Sequence, residues 1–519
     1  MKQLIVKYIS CLAMALHGYD QGLMSYVNKN ELYRNTMNIP KDSSLVGTVI
    51  ASCYLGCVAG SIMASYWADW KGRKSALWIS TGLALLGGGL MFIPGLFLLG
   101  SDVTWNGASF WVMVAARFVL GIGMGGITLV GPVHKAELSE GNARGSTLAK
   151  DFRVNVGSLC TAFIINLSFN RIFQEDSWAW RVPILLMECL PMALGLVTFE
   201  LPESPRWLIS KGEVDQARQV ISELYGNDRV EQKMEELQAA HREVVGAPKC
   251  LLDKLCCGSG RFHPHMITIM VQFSQALTGY GAILFYGSQV FQLLGLEENT
   301  SDFAMLSNYV FYFVATFAST GVIDHYGRRA LMLWGSCGLS LCFFMLWIIG
   351  TDVITGSHTT LKGILGFMDL TMSTLIYGSC WLTTGVSYFI ITFLAPIGFN
   401  CWKHRVFVIF AVSNLVVALF VWLFLPETGG RSFQENQQFF VLAKERGTPV
   451  VSKVDINYLA LPKQAVPFNE AEAPDDPADP ADRADQAGVA DQTDQTDQVD
   501  EADEADETDE TDVACQAET

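Results

Sequence analysis

Charge is scarce in most of this chain. Asp, Glu, Lys and Arg make up 17% of its 519 residues, against about a quarter in soluble domains. The deficit excludes an ordinary soluble surface over most of the length. The formal net charge of −17 does not alter this, because residues 465–519 hold 20 acidic residues and one base, Arg483. Setting that tail aside leaves a body of net +2, which gives no ground for a nucleic-acid partner. The 13 cysteines show no paired zinc-type spacing and no disulfide framework, and most sit inside apolar runs, where Cys behaves as a small hydrophobe. No nucleophile–base constellation or metal cluster is present, and His263-Pro264-His265 is too short for a zinc site. An enzyme with a resident cofactor is therefore not indicated.

Hydrophobic runs fill the space that these absences leave. Half of the residues are hydrophobic, with 31 Phe and 13 Trp. The runs reach the roughly 20 residues that cross a bilayer, and they predict helices over 4–26, 43–66, 76–99, 108–131, 152–170, 179–200, 264–286, 303–323, 330–350 and 404–425. Two of the intervening turns are alike: Asp69-Trp70-Lys71-Gly72-Arg73-Lys74 and Asp324-His325-Tyr326-Gly327-Arg328-Arg329. Glycine permits the reversal, and the basic pair marks the cytoplasmic side. Their corresponding positions argue for an internal repeat. Gly121-Ile122-Gly123-Met124-Gly125-Gly126 matches a nucleotide motif by letter but lies within an apolar run, so helix packing on small residues is the better reading. The predicted organisation is a first bundle over 1–200 and a cytoplasmic linker of short amphipathic helices over 201–262. A second bundle over 263–445 and a disordered acidic tail over 446–519 complete it.

These motifs together resemble the sugar porter family of the major facilitator superfamily, most closely its fungal hexose-transporter-like members. Gly18-Tyr19-Asp20 matches the first helix, and Arg117, Pro132, Glu137, Arg144 and Gly145 match the stretch from helix 4 into helix 5. Pro202-Glu203-Ser204-Pro205-Arg206-Trp207 follows helix 6, Gln275, Gly279 and Tyr286 fall in helix 7, and Pro426-Glu427-Thr428 closes helix 12. The resemblance implies an all-α polytopic fold of two pseudo-symmetric six-helix bundles. It implies a plasma-membrane monomer in the lipid bilayer with both termini cytoplasmic, and transport of a sugar with a proton. Several positions depart from the pattern. Ala276, Gly281 and Tyr312 stand where the family has amides, and the helix 5 Gln falls on Asp151 or Phe152.

A sugar needs amide and indole groups between helices and an aromatic face. Gln275, Tyr286, Trp381 and Asp151 are the expected substrate ligands. Asp20 and Arg117 carry charge inside membrane spans, where charge is costly and usually functional. In proton-coupled relatives the matching Asp takes up the proton and the Arg tunes it. A static ion pair is the alternative. Asp69, Gly72, Arg73, Lys74, Glu137, Arg144, Glu203, Arg206, Asp324, Arg328, Arg329 and Glu427 are expected at a cytoplasmic gate that latches the outward-facing state.

The stretch 361–400 departs most. It should hold two helices and a loop, yet it offers one apolar run interrupted by Asp369 and Gly378-Ser379. Helix 10 is expected to be shortened, with part of it and the loop to helix 11 missing. Twelve spans are favoured over eleven. An incomplete pocket wall and weak or absent transport follow as expectations, and a sugar sensor on the same fold is the second reading.

Overall fold

The apolar runs become helices because a backbone surrounded by lipid must satisfy its own N–H and C=O groups. The structure, a computed structural model, describes residues 2–40, 45–94, 106–138, 144–173, 176–245, 264–351, 359–380, 395–399, 401–427 and 439–454 apart from 441, 444 and 449. The first half contains α1 (Lys2–Val27), the short α2 (Glu31–Met37), α3 (Leu45–Lys71), α4 (Arg73–Phe92), α5 (Asn106–Leu138), α6 (Arg144–Ile172) and α7 (Trp178–Glu200). Three short helices follow: α8 (Pro205–Ser210), α9 (Val214–Tyr225) and α10 (Val230–Val245). The second half contains α11 (Pro264–Leu277), α12 (Tyr280–Leu293), α13 (Glu298–Tyr326), α14 (Arg328–Gly350), α15 (Thr359–Cys380) and α16 (Val406–Phe424), with the short α17 (Val451–Val454) beyond. Among the described residues there is no strand, as the all-α reading requires.

Seven of these helices are long and apolar enough to cross a membrane by length and composition: most or all of α3 to α7, α14, and α16 with the turn before it. Their outward faces are apolar as well. Leu185, Met192, Leu196 and Phe199 on α7 and Ile409, Val412, Leu415 and Trp422 on α16 are exposed. A helix that is apolar all round belongs in lipid. Trp67, Trp70 and Trp78 are exposed beside the Gly72 turn, at the level where indoles anchor at a membrane interface.

The repeat shows in the packing order. In the first half α5 packs on α3 and α4, and α7 on α4 and α1; in the second, α15 packs on α13 and α14, and α16 on α14 and α11. Glycine sets the closest approaches. A Cβ at Gly121 or Gly125 of α5 would overlap the carbonyl of Cys53 or Cys57 on α3, and one at Gly123 would overlap Ala84 on α4. The G-x-G-x-x-G letters are thus a helix-packing surface.

Several boundaries differ from the sequence expectation, three of them with a plain local cause. The third span ends at Phe92 rather than 99, just before Ile93-Pro94. The fourth runs seven residues further, to Leu138, because Pro132 is accommodated inside α5. The seventh is two helices, broken at Thr278-Gly279 where Gly279 takes φ +74. Where the tenth span is expected, α15 holds 22 residues. Most of residues 381–402, where the loop to the eleventh helix and that helix are expected, lie outside the described residues.

Candidate substrate and coupling site

The sequence places Asp20 in the C-terminal half of α1 and Arg117 on the facing turn of α5. Gly18 and Gly22 bring α1 hard against α6, since a Cβ at either would overlap the Asn155 or Leu159 carbonyl. Tyr19 holds the other side of α1 by donating to the Pro183 carbonyl on α7 at 3.1 Å. Between them Arg117 donates through both terminal nitrogens to the Asp20 carboxylate, Nη1 to Oδ1 and Nη2 to Oδ2, the second at 3.1 Å. Both residues are fully buried. A paired, planar fork of this kind is the strongest ion-pair geometry that side chains make. Losing the negative partner would strand a buried cation, which costs several kcal/mol.

A second buried pair lies nearer the Gly72 turn, where Lys135 Nζ donates to both oxygens of Asp151 at 2.8 and 2.9 Å. Ser10 Oγ donates to the same carboxylate, and Cys11 Sγ does so at 3.1 Å. Asp151, expected as a sugar ligand, thus has its carboxylate engaged by three side chains. Lys135 escaped the sequence reading because the fourth span was ended at residue 131. Carrying the helix through Pro132 would have placed a lysine inside it.

Two of the expected substrate ligands, Gln275 and Tyr286, lie on either side of the break in the second half. Gln275 is buried in the last turn of α11, and Tyr286 is buried on α12 with its ring 6.5 Å from Phe399. Trp381 lies outside the described residues. Tyr312, at a position where an amide was expected, stacks edge-on with Phe152 of α6 (6.4 Å) and Tyr280 of α12 (5.5 Å). Aromatic rings therefore line the seam between the halves where the family pattern has amides. An open groove of about 600 Å³ on α6 against Phe313 contains none of the expected ligands.

The charged turns fold alike in the two halves. Gly72 (φ +101) and Gly327 (φ +80) stand before α4 and α14. A Cβ at Gly72 would overlap the Glu203 carboxylate, and one at Gly327 the Glu427 carboxylate. Glu203 accepts from the N–H groups of Arg73 (2.9 Å) and Lys74 (3.2 Å). Glu427 accepts from those of Arg328 (3.1 Å) and Arg329 (3.0 Å). Each glutamate thus caps the start of a helix across its own half, where orphan N–H groups and the helix dipole favour an anion. The second basic residue of each turn donates to a carbonyl near the end of the half's last span, Lys74 to Phe199 (2.8 Å) and Arg329 to Trp422 (2.7 Å). Burial pushes the Glu203 carboxyl above its ordinary value, while the capping N–H groups and the Arg73 charge pull it down.

The rest of the turn cluster also stays within the first half. Arg73 bridges Asp69 (3.2 Å) and Glu137 (3.2 Å). Ser204 caps α8 by accepting from Trp207 N–H, and the Trp207 indole donates back to the Asp69 carbonyl at 3.1 Å. Arg206 is exposed, and nothing is described of the side chains of Arg144 and Asp324. Between the halves, Lys29 pairs with Asp302 at the end away from these turns, and both are largely buried. Neither residue carried a sequence signal, because each sits beside a predicted span rather than inside one.

A polytopic helical fold with two repeated halves, a buried ion pair and matching charged turns defines a transporter of the major facilitator type. The chain belongs to the family described as sugar (and other) transporter, whose model matches residues 6–384 and 372–440. It is 23% identical over 460 residues to the major myo-inositol transporter of Bacillus subtilis, covering 83% of this chain and 93% of that one. It is 24% identical over 479 residues to the D-xylose-proton symporter of Escherichia coli K12, covering 83% and 94%. It is 26% identical over 484 residues to a sugar transporter of Saccharomyces cerevisiae, covering 85% and 81%. The fold superposes on a proton:xylose symporter bound to 6-bromo-6-deoxy-D-glucose with a TM-score of 0.68 at 21% identity, over 85% of this chain and 99% of that one. On a partially occluded inward-open xylose transporter from E. coli the TM-score is 0.66 at 20% identity, over 82% and 100%. The expected sugar-porter fold is thereby established.

Proposed function

We propose that the protein moves a sugar or related polyol across the membrane together with a proton, by alternating access. The buried Asp20–Arg117 pair carries this reading. It is a carboxylate and a guanidinium held away from water in the middle of a membrane fold, where protonating Asp20 would release Arg117 and change the relative energy of two states. The names of the relatives, which include a proton symporter and an inositol transporter, agree with it. Gln275, Tyr286 and Trp381 supply the amide, phenol and indole that a polyhydroxylated ring requires. The seam of Tyr280, Tyr312 and Phe152 favours a substrate that stacks over one that is gripped by amides alone.

The charged turns face the cytoplasm, and Glu203 and Glu427 keep the helix starts rigid there while the halves rock. Arg144, Arg206 and Asp324 belong to the same gate. Lys29–Asp302 is the corresponding latch at the far end and holds the outside closed. The working unit is a monomer in the plasma membrane. Uptake of a panel of labelled hexoses, pentoses and polyols into cells lacking their own transporters tests the proposal, and no uptake of any of them at normal surface expression would overturn it.

One observation favours a second reading. Only residues 381–402 separate α15 from the turn that begins α16. A span alone needs about 20 residues, so little chain is left for connections. A sensor on this fold would bind sugar without accumulating it.

A further inference from the structure

The break between α11 and α12 is held from one face of α16. In a continuous helix the Ala282 N–H would go to the Thr278 carbonyl; it goes to Gly279 instead, at 3.1 Å. The carbonyls at the break then need other donors, because lipid offers none. Ser413 Oγ donates to the Leu277 carbonyl at 2.5 Å, and Asn414 Nδ2 donates to the Thr278 carbonyl at 3.0 Å. One turn earlier, the Phe410 ring fills the space that glycine leaves at position 279, where a Cβ would overlap it. Asn414 is fully buried, and its amide also donates to the Phe410 carbonyl at 2.7 Å, which fixes its orientation.

The two pieces joined at this break have different neighbours. α11 packs on α16 within the second half. α12 packs on α13 and α15 of the second half and also on α1 of the first, and its Phe285 ring lies 5.8 Å from Tyr54 on α3. A hinge at Gly279 therefore sits between a segment that packs within the second half and a segment that also reaches the first.

We propose that Phe410, Ser413 and Asn414 form a hinge clamp, with Asn414 the positioning residue that sets how closely α12 stands against α1. Under the transport reading this clamp governs the opening of the site beside Tyr286, but its geometry and its test do not depend on transport.

The experiment uses purified full-length protein carrying Ser288→Cys on α12, a buried position. The maleimide labelling rate at that peptide is read by mass spectrometry. Asn35→Cys on the exposed face of α2 serves as the reference. Asn414→Ala and Asn414→Asp are expected to raise the rate at Ser288→Cys about fivefold, the shift that loss of one ordinary hydrogen bond produces. Ser413→Ala should raise it less, Ser413→Thr should behave as the parent, and Asn35→Cys should label equally throughout. An unchanged rate at Ser288→Cys in folded Asn414→Asp protein overturns the proposal, as does an equal rise at both positions. If Asn414→Ala does not fold, Asn414→Asp and Ser413→Ala decide by the same criterion.

Discussion

The two halves of the molecule are alike at one end and unlike in the middle. At the charged turns the correspondence extends to individual atoms: glycine, two capped N–H groups, a capping glutamate and a basic side chain on a carbonyl. In the interior, α1 is a continuous helix and the first half buries two ion pairs, Asp20–Arg117 and Lys135–Asp151. The seventh span is broken, and hydroxyl, amide and aromatic groups from α16 hold the break. The lesson is that a repeat persists where backbone geometry dictates the residues, as a reversal at positive φ does. It diverges where side chains do different work, with charge in one half and a hinge in the other.

The largest expected effect breaks the comparison on its ionic side. Asp20→Asn should abolish accumulation driven by a proton gradient while sparing sugar binding, measured by binding and gradient-driven uptake on the same preparation. Unchanged accumulation would remove Asp20 from coupling. Next, Lys135→Met should destabilise the protein by about 3–5 kcal/mol, because Asp151 is left buried and unpaired. Adding Asp151→Leu should restore most of that in a thermal melt, and failure to restore it would show that the pair has a further role. The matching ends offer a smaller and more exacting test. Glu203→Gln and Glu427→Gln should each cost about 1 kcal/mol, the ordinary worth of a helix cap, and should be equal within error. A large inequality would show that the two caps are not energetic equivalents. Truncation after Gln464 should leave insertion and stability unchanged, and lost surface expression would give the tail a structural role.

Much of this was legible in the sequence because lipid makes charge conspicuous. Asp20 and Arg117 stood out as charges within apolar runs, and Pro202 to Trp207 stood out as a motif whose every capping residue has a contact to make. The missed features share a physical cause. Lys135 and the Lys29–Asp302 pair sit at the margins of spans, where hydropathy alone misplaces a helix end. The break at Gly279 is invisible to hydropathy because both pieces are apolar, and the donors that stabilise it lie 136 residues away on α16. The ion pair of Asp151 was not legible because its partner was hidden by the short reading of α5.

The central claim is that this fold moves sugar at the expense of a proton gradient. The most direct measurement is accumulation of labelled hexose, pentose and polyol by the purified full-length protein in sealed vesicles with an imposed inward proton gradient. The account predicts that at least one substrate accumulates above its external concentration and that a proton ionophore abolishes the excess. Binding of a sugar without accumulation of any would contradict it and leave the sensor reading in its place.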